Sequence, residues 1–516
     1  MTRYTVPMET LTLSTPDLLA GSPTGAALPS LAEQVAVLHQ QHQSVLEENA
    51  ALRAGKAALE VRVAELEGQV RELRARLGQD SANSSRPPSS DPPQAAAKNQ
   101  AKRKRAPTGR KRGGQPGHGE HHRAFLPPEQ VTQVIVVRPA ACRHCGQPFP
   151  DPEPHRPSRV WRHQVVDLDL LAVRVTEYQM QVRRCPPCGK RTRAALPGGV
   201  PRSAFGPRLT AIVALLSGRY RLSHREVRQL VADLWEVAVS LGAIARLQQV
   251  QSAALKPVYD EAREAVQQAA VVNMDETGWR ENKRRAWLWT VATASLTVFL
   301  IDRSRSGAVV ETLLGKKYAG IVGSDRYGAY RRFPAVRRAL CWSHLKRDFE
   351  GLADRGGPAE PIGRWGLAEI ERLFALWHRF RSGEFDRRTL LHKLVPLKAR
   401  MGRLLVRGEA SGDRKAAALC RDLNQWWEAL WTFTKVEGVE PTNNVSERAL
   451  RPAVLWRKGS FGTDADAGSR FVERMLTVAA TCRQQGRRLL DFLVAAGEAA
   501  LRGTPAPSLL AVRQTV

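Results

Sequence analysis

The sequence has 516 residues, with 79 Lys and Arg against 50 Asp and Glu, which gives a formal net charge of +29. This charge predicts a polyanionic partner such as DNA, although a coding bias towards Arg would raise it without any function. No run of about eighteen apolar residues and no signal-peptide pattern occurs, so we expect a cytoplasmic protein with no membrane partner.

Residues 1–30 are rich in Thr, Ser and Pro without a period, and we expect them to be flexible. Over residues 31–78 apolar residues recur every seven positions, which predicts a leucine-zipper coiled coil and a homo-oligomer. An amphipathic helix folded back onto the same chain is the alternative. Asn49 and Lys56 on the seam are expected to fix register and strand number. The main seam residues are Leu31, Leu38, Val45, Leu52, Leu59, Leu66 and Leu73.

Residues 79–124 combine a Ser/Pro linker with a strongly basic segment. Such a composition cannot continue a helix or bury a core. We expect the basic segment to lie along a phosphate backbone, the alternative being a solvated charge run. The candidate DNA-binding residues are Lys102, Arg103, Lys104, Arg105, Arg110, Lys111 and Arg112.

Two Cys-x-x-Cys pairs, each followed by a glycine, stand within residues 125–200. Four thiolates at this spacing are typical of a closed structural zinc site, and seven cysteines in this pattern suit a reducing compartment. The alternating segment between the pairs predicts strands of a zinc-ribbon-like module. The candidate zinc ligands are Cys142, Cys145, Cys185 and Cys188.

Residues 201–265 have the pattern of helices, with Ser223 as a cap and a second helix from near Ser240. This pattern predicts either a helix-turn-helix DNA-binding region or two packed helices of a connector.

Strand-like runs in residues 266–354 predict three consecutive strands, a helix and a fourth strand. This order is typical of a ribonuclease H-like α/β core, in which the first and fourth strands are neighbours. Residues 355–436 predict an all-α insertion whose tryptophans fill a core, with base stacking as the alternative. Residues 437–502 complete the core and 503–516 form a tail. The predicted fold class is therefore multidomain α+β.

Three acidic residues stand at the ends of the first and fourth predicted strands and in a helix after the insertion: Asp275, Asp325 and Glu447. Neighbouring strands would bring the two aspartates together, and hard cations such as Mg2+ take carboxylate oxygens as ligands. Three unpaired carboxylates in contact would repel each other and take up protons. The sequence therefore predicts a divalent metal between them.

Several motifs stand in one order along the chain: NSSRPPSSD, GRKRGGQPGHG, the paired cysteines, MDETGW, SDRYGAY, CWSHLKRDF, and TNNVSERALRP followed by RKGSFGT. In these motifs the sequence resembles, from about residue 30 to about residue 500, the insertion-sequence 66 family of bacterial transposases. The resemblance implies a DDE transposase with Asp275, Asp325 and Glu447 as catalytic residues and the four cysteines as zinc ligands. It also implies accessory proteins encoded by the same element and a nucleoid-associated location in the bacterial cytoplasm.

We therefore expect cleavage at element ends and strand transfer into target DNA, with two Mg2+ or Mn2+ ions per active site. The DNA partners would be the terminal inverted repeats and the target. Two other functions stay open: a catalytically silent or domesticated DNA-binding regulator, and a ribonuclease H-like nuclease without strand transfer. The phosphate-binding candidates are Arg448, Arg451, Lys458 and His344, with a core histidine as the alternative for His344.

Overall fold

The structure of the chain, a computed structural model, describes residues 30–84, 91–92, 125–137, 140–142, 144–148, 162–165, 173–184, 186–188 and 191–510. The chain divides into two compact units, Met1–Leu77 and Gly78–Val516. The basic candidates from Lys102 to Arg112, and Cys185, lie outside the described residues. Within the described ranges, no helix is both long enough and apolar enough to cross a bilayer.

In the first unit, Leu31–Leu77 forms a continuous helix, α1. No residue of α1 is buried in the single chain, and the side chains of its seam from Leu31 to Leu73 are 45–80% exposed. A long apolar stripe in contact with water is unfavourable, so burial against a second helix would stabilise α1. The helix is confirmed, whereas its pairing into a coiled coil stays a prediction.

In the second unit, β1 (Val182–Arg184) pairs with β2 (Arg191–Arg193) in an antiparallel hairpin. The prediction of longer strands between the cysteine pairs is wrong for residues 173–181, which have no strand. The alternating apolar side chains of this segment are not buried against other residues: Val173, Val175, Tyr178 and Met180 are all exposed. Residues 166–172 lie outside the described part of the chain.

Between β2 and the main sheet, a stretch that the structure describes throughout, there are four α-helices: α2 (Pro207–Ala214), α3 (His224–Trp235), α4 (Leu241–Ala254) and α5 (Lys256–Gln267). Ser223 caps α3 in a capping box, accepting a hydrogen bond from the Glu226 backbone N–H, and Ser240 caps α4. The predicted helices and caps are thus confirmed, while a DNA-binding role for this pair stays a prediction. A small core joins α2, α3 and α4 and is formed by Val213, Val227, Val231, Val239, Ile244 and Leu247.

The strands of the main sheet are β3 (Val271–Glu281), β4 (Arg284–Ala292), β5 (Thr297–Asp302), β6 (Ile321–Ser324) and β7 (Arg338–Leu340), with α6 (Gly307–Leu314) before β6. Their spatial order is β5-β4-β3-β6-β7. β3, β4 and β5 are antiparallel neighbours, whereas β6 runs parallel to both β3 and β7. The predicted adjacency of the first and fourth strands is confirmed, and the fold is mixed α+β.

The helical segment after the sheet comprises α7 (Trp342–Arg355), α8 (Ala359–Arg381), α9 (Arg387–Glu409), α10 (Arg414–Gln425), α11 (Trp427–Leu430) and α12 (Thr432–Lys435). Trp377, Trp426 and Trp431 are buried in one apolar core, and Trp365 and Trp427 pack against it. Buried rings cannot stack on a base, so the prediction that these tryptophans fill a core is confirmed.

Three helices complete the unit: α13 (Asn444–Ser460), α14 (Asp466–Gln484) and α15 (Leu489–Arg502). α14 lies along β5, the edge strand of the sheet. Side chains at every fourth position of α14 accept hydrogen bonds from the backbone N–H groups of every second residue of β5. The pairs are Thr297 N with Thr481 Oγ1 at 3.1 Å, Phe299 N with Thr477 Oγ1 at 3.1 Å, and Ile301 N with Glu473 Oε1 at 2.6 Å. The edge is thereby closed to pairing with another strand.

Candidate active site

The three predicted carboxylates lie on elements that meet at one end of the sheet. Asp275 belongs to β3, Asp325 follows β6 directly, and Glu447 lies in the first turn of α13. In the parallel ladder Asn273 is paired with Gly323. Asp275 and Asp325 each stand two residues after this pair, Asp275 on β3 and Asp325 just beyond β6, so they lie side by side.

The start of α13 is fastened to this end of the sheet. Asn443 Nδ2 donates to the Met274 carbonyl oxygen at 2.7 Å, and its backbone N–H donates to Cys341 Sγ at 3.2 Å. Although Asn443 stands at the cap position, its side chain makes no capping hydrogen bond to α13. The side chain instead joins the helix that carries Glu447 to the residue before Asp275.

The pKa values show that the carboxylates act on each other electrostatically. Burial raises the pKa of Asp275 well above its usual value, and Glu276, Asp325 and Glu447 raise it further. Burial also raises the pKa of Glu447, as does Asp325, while Arg347 and Arg448 lower it. Mutual repulsion of this kind is relieved by a cation placed between the groups.

The donor atoms present fit a hard divalent metal. Three carboxylates from separate elements supply the oxygen ligands that Mg2+ and Mn2+ prefer. Glu447 Oε1 is buried and has no hydrogen-bond partner among the described residues, so it is free to serve as a ligand.

His344, at the start of α7, lies beside Glu447. Its Nδ1 is 3.5 Å from Glu447 Oε1, and Cys341 Sγ lies within 4.8 Å of the ligand atoms of both residues. Burial, with Arg347 and Arg326, lowers the pKa of His344 to about 4, although Asp325 acts in the opposite direction. The imidazole is therefore neutral near pH 7.

Glu276 is a site residue that the sequence reasoning missed. Arg305 donates to its Oε1 from Nε at 3.0 Å and from Nη2 at 2.7 Å, and Tyr330 donates to Oε2 at 2.5 Å. Burial raises the pKa of Glu276, and so does Asp325. The paired acids of the MDETGW motif were the one signal that could have revealed it.

The turn that carries Asp325 is fixed by two arginines. Arg338 is buried and donates to the Asp325 carbonyl oxygen at 2.8 Å, while its guanidinium lies 4.7 Å from the Trp426 ring centroid. Arg326 pairs with Asp348 of α7 at 3.0 Å and with Asp422 of α10 at 2.6 Å. The helical segment therefore supports the position of Asp325.

Residues 202–470, more than half of the chain, match the family model described as Transposase IS66 family. The chain belongs to the IS66 transposase family. All three carboxylates lie within the matched region of this IS66-family chain. Residues 36–124 match a second family, whose function is unknown.

Two similar proteins of Sinorhizobium fredii (strain NBRC 101917 / NGR234) are both uncharacterized. The IS66-family chain is 26% identical to y4qI over 251 residues, which is 44% of this chain and 46% of that protein. It is 24% identical to y4hP over 389 residues, which is 68% of this chain and 69% of that protein. The match to y4qI thus spans less than half of that protein.

The predicted phosphate-binding cations of the IS66-family chain lie on α13. Arg448, Arg451 and Lys458 are exposed, and Arg448 is close enough to lower the pKa of Glu447. Arg347 of α7, half-buried beside Glu447 and His344, was missed by the sequence reasoning. The CWSHLKRDF motif contains it, but sequence alone does not indicate which of its cations faces the carboxylates.

The first cysteine pair of the IS66-family chain forms a tight turn. The Cys142 N–H donates to the Gln147 carbonyl oxygen, the Gly146 N–H donates to the Cys142 carbonyl oxygen, and Gly146 has a φ of +74°. Backbone N–H groups of Cys145 and His144 lower the pKa of the Cys142 thiol, which favours the thiolate form that binds metals. Cys188 is exposed in a second turn.

Proposed function

We propose that this chain is a DDE-type transposase that cleaves DNA at the ends of its element and transfers the freed strands into target DNA. The observation that carries the proposal is the meeting of Asp275, Asp325 and Glu447 from two neighbouring strands and one helix. Membership of a transposase family supports DNA as the partner and a divalent metal as the cofactor.

In this proposal Asp275, Asp325 and Glu447 hold Mg2+ or Mn2+, two ions per active site. When bound, the metal would activate the attacking water or 3′-hydroxyl and would stabilise the negative charge on the leaving oxygen. Arg347 and Arg448, which flank Glu447, bind the scissile phosphate and orient it towards the carboxylates. Arg451 and Lys458 bind phosphates further along the DNA.

His344 is proposed as a positioning residue for Glu447. The neutral imidazole, whose Nδ1 lies 3.5 Å from Glu447 Oε1 without a hydrogen bond, would limit the rotation of the Glu447 carboxylate by contact. Because His344 carries no charge near pH 7, it would not compete with a metal for the carboxylate.

Isosteric variants of the carboxylates test the proposal. Asp275→Asn, Asp325→Asn and Glu447→Gln should each lower Mg2+-dependent cleavage of element-end DNA by roughly a thousandfold, because several kcal/mol of charge stabilisation is lost. Duplex binding measured without metal should remain. Glu264→Gln, which removes an exposed charge from α5, serves as the matched control. Undiminished cleavage by any one of the three variants would remove that residue from the site.

A strand-transfer assay separates the proposal from the alternative functions. With pre-cut element ends, a transposase joins the free 3′-hydroxyl to target DNA, whereas a nuclease on the same fold cleaves but does not join. A DNA-binding regulator would bind ends and do neither. The closely placed carboxylates favour the enzymatic functions over the regulator.

The remaining parts of the chain have proposed supporting roles. α1 would pair protomers, so that both ends of the element are processed together. Zinc held by the four cysteines would fold a small module, and the basic segment from Lys102 to Arg112 would contact phosphates. α3 and α4 are the candidate for reading the element ends, and accessory proteins of the same element are further candidate partners.

A further inference from the structure

Phe461, in the RKGSFGT motif, is left unused by the proposed chemistry. It follows α13 directly, and its side chain is 77% exposed. Its ring makes no aromatic or cation–π contact with any residue that the structure describes. A single exposed apolar side chain is common and needs no explanation by itself. Phe461 differs from the common case in two respects: its backbone is in the left-handed conformation, and exposed cations of α13 precede it.

The backbone of Phe461 is held in the left-handed region, with φ +60° and ψ +9°. A helix end that requires this conformation is usually occupied by glycine, because a side chain there costs conformational energy. Gly459 and Gly462 stand on either side, yet the left-handed position itself holds a phenylalanine. Glu236 at the end of α3 has a similar conformation, so the backbone by itself does not mark a function, but strained residues cluster at functional sites.

The turn presents the Phe461 ring from a rigid support. The Thr463 N–H donates to the Arg280 carbonyl oxygen at 2.9 Å, and the Asn282 N–H donates to the Thr463 carbonyl oxygen at 2.8 Å. Gly462 has a φ of +119°, and a Cβ atom there would lie 2.2 Å from the Arg280 carbonyl oxygen. β3, the strand of Asp275, therefore fixes the turn on which the ring stands.

The exposed face of α13 connects this ring to the carboxylates. Arg451 and Lys458 follow Glu447 by four and eleven residues, so they share its helix face, with Arg448 at the margin. None of these three cations has a hydrogen-bonding or ion-pair partner in the described ranges. At a rise of 1.5 Å per residue, Phe461 lies about 20 Å from Glu447, which corresponds to about six base pairs.

We propose that Phe461 is a wedge that inserts between stacked base pairs of bound DNA, about six base pairs from the cut. The cations of α13 contact the phosphates between the two points. Apolar wedges beside basic residues unstack and kink DNA in this manner. The inference rests on the DNA-binding part of the proposed function and not on strand cleavage.

The test uses the full-length chain and element-end duplexes in which 2-aminopurine, a fluorescent adenine analogue, replaces one base at successive positions. Without divalent metal, the wild-type complex should brighten by about twofold or more at a step near the sixth base pair, because unstacking relieves quenching. Phe461→Gly should bind but give no brightening, and Phe461→Tyr should behave as wild type. Val406→Ala, which shortens another largely exposed apolar side chain, on α9, is the matched control.

The glycine variant also separates folding from function. Since glycine adopts a positive φ without strain, Phe461→Gly should have a thermal midpoint equal to or above that of wild type. Brightening retained in Phe461→Gly, or absent at every position in wild type, would overturn the wedge even if Mg2+-dependent cleavage is intact. Brightening at the predicted step without any cleavage would support the wedge and count against the catalytic proposal.

Discussion

Glu276 shows how one residue contributes to the site without being a ligand. Arg305 and Tyr330 engage both of its oxygens, so the carboxylate is not available to a metal. Of the neighbouring charges, Glu276 is nevertheless the one that most raises the pKa of Asp275. We infer that its negative charge attracts the cation that Asp275 and Asp325 would hold, while its hydrogen bonds fix the end of β3.

The buried carboxyl group of Glu473 is expected to make the stability of the fold depend on pH. Burial raises its pKa to about 7 from the ordinary value of 4.5, while Arg470 and the Ile301 N–H act in the opposite direction. Between these two values the folded chain keeps the proton that the unfolded chain has released. The free energy of unfolding contributed by this group is therefore greatest below pH 4.5 and falls as the pH rises to 7.

Glu473→Gln should remove this dependence, because glutamine cannot titrate and its Oε1 still accepts the Ile301 hydrogen bond. Urea unfolding at pH 5 and pH 8 should show the variant gaining stability over wild type as the pH rises, by up to about 3 kcal/mol. Glu264→Gln, at an exposed position, should track wild type. A constant difference between Glu473→Gln and wild type at the two pH values would contradict the prediction.

Among the elements, α1 and residues 173–181 have in common that their apolar side chains are exposed in the single chain. Every described residue of α1 from Leu31 to Leu77 is largely or partly exposed in the single chain. The segment Val173–Gln181 likewise leaves its apolar side chains exposed. We infer that a partner helix would stabilise α1 and that a bound metal would order the second segment.

Replacing two seam leucines of α1 should prevent self-association. Leu52→Glu with Leu59→Glu places charges on the apolar stripe, and sedimentation equilibrium should then give the mass of one chain, whereas wild type gives a multiple of it. Ala50→Glu with Ala57→Glu introduces the same charges at the same spacing outside the seam, and should leave the mass unchanged. A monomeric wild-type chain would instead favour the folded-back amphipathic helix.

The cysteine turns should account for the zinc content of the purified chain. We expect about one zinc ion per chain by elemental analysis, and its loss in Cys142→Ser with Cys145→Ser, because the remaining pair cannot complete four ligands. Cys420→Ala changes a buried cysteine in the helical core and should keep the metal. Equal zinc content in the two variants would remove the knuckles as the zinc site.

For the whole molecule, local pattern predicts the strands well and the long-range contacts poorly. The runs that became β3 to β7 are bounded by charged or turn residues, and the order of strands and helix limits which strands can be neighbours. The adjacency of Asp275 and Asp325 could be predicted because this order is typical of the ribonuclease H-like core, in which the first and fourth strands are neighbours. The strand prediction for residues 173–181 was wrong because an alternation of apolar and polar residues indicates a strand only where one face is buried.

The contacts that complete the site could not be predicted, since each depends on residues distant in sequence. Asn443 occupies a cap position, but its side chain is used by β3, 169 residues earlier. Arg305 and Tyr330 meet at Glu276 only because α6 and the turn after β6 pack beside β3. The cation that faces Glu447, Arg347, depends on the orientation of α7.

Because α14 protects the edge of β5, the order in which the ribosome makes these two elements affects the folding of the chain. The side chains that accept from β5 are encoded 172 to 184 residues after the strand itself. At about 5–20 residues per second, the ribosome leaves the outer strand bare for roughly 10–35 s before its cover emerges. Chains cut short before Asp466 would therefore leave the β5 edge open to pairing with other strands and should aggregate through it.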